Sequence, residues 1–421
     1  MNAPQPRRGM FVSLSVRNYR LYFVGMLLSN IGLWMSRVAQ DWLVLTVLTD
    51  HSSTALGVIT GLQFLPIALL APSAGALADR IPKRRLLLIT QSAAALVWGV
   101  MALLTFLGVI QLWQVYALAT ASGVVAAVDN PTRQAFASEM VPDAYLTNAV
   151  GLNSTTFNAS RLVGPGLAGL AIAALGIAPV IALNALSYVA TLVALLLMNP
   201  AELHPAPLSR GRGSVRAGLA YVAHRPDIVL ILFLVFMLGT FGLNFQVTNA
   251  LMATIVFGVG SEQYGLMGTI MGIGTLGAAL LAARRQSPRN LIIVAALGGF
   301  ALFTALLAAA PTYVWYLVLL VPVGLTSLTV MTAANASVQL STTPAMRGRV
   351  MALYMAIFMG GTPIGAPVIG WIGDAYGPRA ALGIGAAATG IAFVVAVLFL
   401  LRRRHWRLPP LVVRHDYTPE V

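Results

Sequence analysis

The chain has 421 residues, of which 58% are hydrophobic and only 9% charged, and its mean hydropathy is +0.83. Soluble domains carry about 25% charged residues, so water is excluded as the main solvent and a polytopic helical membrane protein remains. The formal charge of +14 does not mark a nucleic-acid binder, because the basic residues fall at one end of each apolar run; the lack of cysteine excludes thiolate chemistry, and five scattered histidines leave no metal-ligand cluster.

In chain order, apolar runs near 20–48, 54–78, 86–108, 112–137, 147–172, 177–199, 227–255, 263–283, 290–310, 313–340, 350–375 and 380–401 each meet the length of roughly 20 residues that a crossing needs. The spacing predicts an all-α polytopic membrane protein with twelve transmembrane helices in two six-helix bundles. An N-terminal bundle occupies 1–200, a cytoplasmic linker 201–226, a C-terminal bundle 227–401 and a cytoplasmic tail 402–421. Of the 26 basic residues, 22 fall in alternate connections on one side; Arg379 alone falls on the other, and Arg37, Arg133 and Arg161 lie inside spans. The positive-inside bias then places both termini in the cytoplasm. The N-terminal segment does not read as a cleaved signal peptide. Within the linker, GSVRAGLAYVAHR has the pattern of a short amphipathic helix at the membrane interface.

The first span carries Trp34, Arg37, Gln40 and Asp41, with Arg37 and Asp41 four residues apart on one helical face. The fourth carries Asp129 and Arg133 at the same spacing around Pro131, and the fifth carries Arg161. An ionisable group at a helix centre costs about 2.5–3.5 kcal/mol on insertion scales, so these groups are expected to face an interior chamber and to pair there. Asp41, then Asp129, are the proton-coupling candidates, with Arg37, Arg133 and Arg161 as charge partners. Helix packing alone would also account for each acid–arginine pair. Between Asp227 and Asp374 the only acid is Glu262. The second half therefore offers uncharged cavity candidates: Asn244, Phe245, Asn335, Gln339, Tyr354 and Phe358, facing Trp34 and Gln40 of the first. GGTPIGAPVIG, 360–370, with two prolines among glycines, is expected to flex.

Two motifs carry a resemblance. GALADRIPKRRLLL, with Gly75, Asp79, Arg80 and Arg84, resembles the signature loop of the major facilitator superfamily, with Pro82 in place of its usual glycine and Lys83 in place of arginine. The resemblance implies a loop that stabilises an outward-facing arrangement; from the residues themselves, Asp79 is expected to pair with Arg80 or Arg84. The matching stretch of the second half, 277–289, keeps basic residues but lacks the acid. In the fifth span, Gly151, Ser160, Gly164, Pro165 and Gly169 resemble the antiporter motif of the exporter branches, although a simple packing seam would look the same. The whole chain is most similar to the branch that includes bacterial enterobactin export and related multidrug and secretion efflux. That resemblance implies secondary active export of small amphipathic organic molecules, drug-like or siderophore-like, by proton antiport and alternating access.

No phosphate-binding loop supports direct ATP use, and neither enzyme chemistry nor a cofactor or metal is expected. The expected partners are a small-molecule substrate, protons and the lipid bilayer, with the chain acting as a monomer. Lipid or lysolipid translocation, and a non-transporting membrane sensor or scaffold, remain as alternatives.

Overall fold

A computed structural model of the chain describes residue 9 and residues 11–204, 215–284 and 290–402. The expected tail beyond residue 402, the centre of the linker, and Arg285 and Arg289 lie outside the described residues, as does the side chain of Asp79.

The described residues form α1 (Arg17–Leu43), α2 (Ser53–Arg80), α3 (Lys83–Phe106), α4 (Leu112–Met140), α5 (Asp143–Leu175) and α6 (Ile177–Leu197). After the linker helix α7 (Val215–Ala223) come α8 (Pro226–Met237), α9 (Phe245–Leu251), α10 (Ser261–Ala283), α11 (Asn290–Ala308), α12 (Tyr313–Ser341), α13 (Pro344–Gly360), α14 (Thr362–Tyr376) and α15 (Pro378–Arg402). Eleven helical stretches among the described residues are long and apolar enough to cross a membrane. The 33-residue α5 is not one of them, because its first half is rich in Asn, Ser and Thr.

Two spans expected to be continuous are interrupted. The seventh runs from α8 through a wide π turn at Leu238–Gly242 into α9 and a second π turn at Met252–Val256. Asn244 stands at the interruption, where its side-chain amide donates to the Thr240 carbonyl at 2.8 Å and satisfies an oxygen the helix has left over. The eleventh span breaks at Gly361 into α13 and α14, within the glycine–proline run. There Pro363 lacks the N–H needed to continue a helix. The two interruptions meet: a Cβ on Gly365 would overlap the Thr240 carbonyl oxygen.

Helix α1 packs on α5 and α6, α3 on α4 and α6, and α2 on α4; separately, α10 packs on α12, and α11 on α12 and α15. Two seams join these groups, α2 against α14 and α5 against α10. Both depend on missing side chains. Gly57 faces the Ala366 backbone, while Gly169 and Gly265 bring α5 and α10 together with no room for a Cβ on either.

Candidate functional site

The hydrogen bonds crossing between the two groups gather at one end. The Asp374 carboxylate at the end of α14 accepts from the backbone N–H groups of Ser53 (2.6 Å) and Thr54 (3.0 Å) and from the hydroxyls of Ser52 (3.0 Å) and Ser53 (2.5 Å). It thus takes the place of an anion at the N-terminus of α2, where unpaired N–H groups point outward. The Ser53 hydroxyl also lies 2.7 Å from the Gly370 carbonyl, and Ser261 donates to the Gly169 carbonyl at 3.2 Å. Toward the end carrying the basic connections, the diverging end, no such bond joins the two groups among the described residues, and Gly75, Gly151 and Gly348 meet nothing within 4 Å. Ser154 and Thr155 are exposed there.

Asp41 belongs to the closed end. It is 2% exposed, and its two oxygens accept from the Gln246 amide and the Tyr264 hydroxyl, both at 3.0 Å. Gln246 is on α9 and Tyr264 on α10, so one carboxylate of the first group is held entirely by the second. Trp42 stacks on the Tyr264 ring at 5.8 Å and completes the contact. Gln40 is turned to its own group, where it accepts from Gln63 of α2 at 3.3 Å.

One turn from Asp41, about 6 Å along the helix toward the diverging end, Arg37 lies over the Trp34 ring at 5.2 Å and near Phe64 at 5.9 Å. The Arg161 guanidinium approaches the same ring at 5.7 Å. Trp34 rests on Gly164 of α5 and is edge-on to Phe157 at 6.0 Å. The expected pairing of Arg37 with Asp41 is not formed: the carboxylate is engaged across the seam, and the guanidinium is on the indole.

Asp129 is placed differently. Its carboxylate accepts from Thr90 (2.6 Å) and Gln91 (2.7 Å) of α3, and from Arg133 one turn along α4. All its donors belong to its own helix group, so separating the groups leaves its surroundings unchanged. Ser160 is buried, Gly164 seats Trp34, and Pro165 and Gly169 form the crossing with α10. Four of the five motif positions on α5 thus lie at helix contacts, and Gly151 does not.

At the basic end, Arg84 donates to the Leu195 and Leu196 carbonyls at 2.8 and 3.3 Å, capping the C-terminus of α6. The expected pairing of Asp79 with Arg80 or Arg84 falls on a side chain outside the described residues. Lys83, the chain's only lysine, forms a 2.8 Å ion pair with Glu139 at the end of α4, and both are buried. Removing one partner of a buried pair typically costs about 3–5 kcal/mol. A Lys83→Met chain is therefore expected to unfold at markedly lower temperature in detergent, with much of the loss restored by adding Glu139→Met.

In the second group, Phe245 packs its ring edge-on to Phe300, and Tyr354 donates to the Met331 carbonyl at 3.3 Å; both are buried. Asn335 accepts from Gln339 at 2.9 Å, and Phe358 lies against Gly239. Sequence reasoning missed Asp374 and Tyr264. The signal for the first was Ser52–Ser53–Thr54 opening α2, which announces a helix N-terminus without naming the carboxylate that reaches it.

A family model described as "Transmembrane secretion effector" matches residues 8–413. The staphyloferrin A transporter of Staphylococcus aureus is 26% identical over 361 residues, 85% of this chain and 90% of that protein. The enterobactin exporter of Escherichia coli K12 is 24% identical over 402 residues, covering 94% and 95%. Among solved structures, a mutant nucleoside transporter superposes with a TM-score of 0.74 at 12% identity, over 91% of this chain and 99% of that one. A D-xylose–proton symporter gives 0.69 at 14% identity, over 93% and 97%.

Proposed function

Since the chain belongs to the transmembrane secretion effector family of the major facilitator superfamily, a multi-pass bacterial inner-membrane protein moving small molecules by secondary transport, we propose that it is a proton-coupled exporter in which Asp41 carries the coupling proton. Its cargo is an amphipathic organic molecule, and the relatives named for staphyloferrin A and enterobactin support the siderophore-like end of that range. Helix α5 is the twelfth crossing. Its polar residues belong to the space between an N-terminal bundle (1–200) and a C-terminal bundle (227–401), linked through 201–226, with 402–421 as a tail. Both termini are cytoplasmic, so the end closed by Asp374 is the outer one and the diverging end opens inward. One chain contains the whole pathway, and a monomer suffices.

The observation that carries this reading is the position of Asp41: a buried carboxylate whose hydrogen-bond donors both come from the opposite bundle. Ionised, it accepts from Gln246 and Tyr264 together. Protonated, one oxygen becomes a donor: toward the Gln246 amide it opposes another donor, toward Tyr264 it donates to the phenol oxygen, and in either case the charge-assisted bonding across the outer seam is weakened. Protonation thus loosens the closed end, whereas the empty ionised carrier stays locked and does not leak. Asp129 has no such dependence and serves to hold α3 on α4.

The test is transport by proteoliposomes across candidate organic cargoes with an imposed pH gradient. Gradient-driven movement of a cargo by the intact protein supports the reading. Movement of acyl-chain lipids alone favours lipid translocation, and binding without movement favours a sensor.

A further inference from the structure

We propose that the cargo is an organic anion, a molecule carrying carboxylate or similar acidic oxygens beside an apolar or aromatic body, taken between Arg37 and Arg161 over the face of Trp34. This deepens the transport reading above and rests on it.

The inference starts from the charges. The buried acids of the first group are all engaged elsewhere: Asp41 with Gln246 and Tyr264, Asp129 with Thr90, Gln91 and Arg133, and Glu139 with Lys83. Arg37 and Arg161 share one indole ring and form no ion pair or hydrogen bond with another described residue. Two like charges on one ring repel each other, and cation–π attraction offsets only part of their desolvation. The Trp34 Nε1 donor is also buried without a partner. Two guanidinium forks and an indole N–H make a set made only of donors, which suits carboxylate oxygens and disfavours a cation.

The pair also sits where a cargo from the diverging end would stop. Arg37 lies one turn below Asp41, Arg161 one turn below Pro165 at the α5–α10 crossing, and Phe64 nearly one turn below Gly61 at the α2–α14 crossing. All three thus lie just beneath the contacts that close the outer end. Phe157, 45% exposed, and Phe64 supply apolar walls beside the charges. An anion bound here also repels ionised Asp41 one turn away, so cargo loosens the same seam contact that a proton loosens.

The experiment is equilibrium binding to the full chain in nanodiscs, with phthalate, benzene-1,3,5-tricarboxylate and citrate, each against its neutral methyl ester, and with tetraphenylphosphonium as a lipophilic cation. At least one carboxylate is expected to bind no less than 10-fold more tightly than its ester. Arg37→Gln and Arg161→Gln should each weaken it at least 10-fold, and Arg37→Lys and Arg161→Lys by less. If the Gln variants do not fold, the acid–ester comparison in the intact chain still decides. Equal binding of every acid and its ester, preference for the cation, or Gln variants that bind like the parent would overturn the proposal. Asp41→Asn separates the two readings: with the neighbouring negative charge removed it should bind the anion at least as tightly as the parent, while losing gradient-driven transport. Anion binding with no transport in the parent chain would sink the transport reading alone.

Discussion

Replacing Asp374 by alanine is expected to open the outer end of the molecule. The carboxylate takes up two backbone N–H groups and two hydroxyls of α2 from the other side of the seam. Hydrogen bonds to a charged group contribute about 1.5–3 kcal/mol each when shielded. Because Asp374 is exposed, the whole contact is better placed near about 2 kcal/mol, a roughly 30-fold shift between closed and open forms. The chain contains no cysteine, so Ser261→Cys, a near-isosteric change at a residue 7% exposed beside the second seam, gives a single reporter. Labelling by a membrane-impermeant maleimide should rise about 30-fold in the Asp374→Ala background, and by less with Asp374→Asn, which keeps one acceptor oxygen. Unchanged labelling in both would mean that α2 and α14 are held by glycine packing alone.

The second large effect is expected from Asp41→Asn. An amide cannot gain or lose a proton in this range, so its hydrogen bonding to Gln246 and Tyr264 becomes independent of pH. Gradient-driven transport should fall at least 100-fold, while exchange of cargo for cargo, which needs no proton cycle, persists. Asp129→Asn should behave in the opposite way. It weakens the bond to Arg133 and the contacts with Thr90 and Gln91, lowering thermal stability by about 1–3 kcal/mol, and leaves the ratio of driven transport to exchange unchanged. If Asp41→Asn kept full gradient-driven transport, the coupling proton would have to be carried elsewhere. For an anionic cargo, the membrane potential adds about 2.3 kcal/mol per charge per 100 mV, so a negative interior assists export.

Much of the architecture was legible because lipid leaves few choices. Apolar runs of crossing length fixed most helix positions to within a few residues, and the small residues Gly164, Pro165 and Gly169 marked a crossing. Hydropathy cannot register a break that is repaired locally, as at Asn244, where a side chain replaces a lost helix partner. Arg379, the single basic residue expected on the side opposite the others, was legible only as an exception. In the structure it donates to the Ala308 and Ala310 carbonyls, both at 2.9 Å, closing the end of α11. Spacing along one helix suggested that Arg37 would neutralise Asp41. The partners of Asp41 instead lie 205 and 223 residues away in sequence, a distance over which no periodicity carries information. Phe64 and Phe157, which flank Trp34, were hidden for the same reason, since aromatic residues in a membrane helix are ordinary until a cation is seen against them.

The central claim is that protonation of one carboxylate releases the outer seam. Spin-label distances in nanodiscs test it most directly, with labels at Asp50 and Tyr376 across the closed end and at Thr147 and Ala283 across the diverging end, all exposed positions. Acidification should lengthen the outer distance and shorten the inner one in the otherwise unaltered chain. With Asp41→Asn both distances should stay near their acidic values at every pH. Distances that ignore pH in the unaltered chain, or that respond equally with Asp41→Asn, would contradict the account.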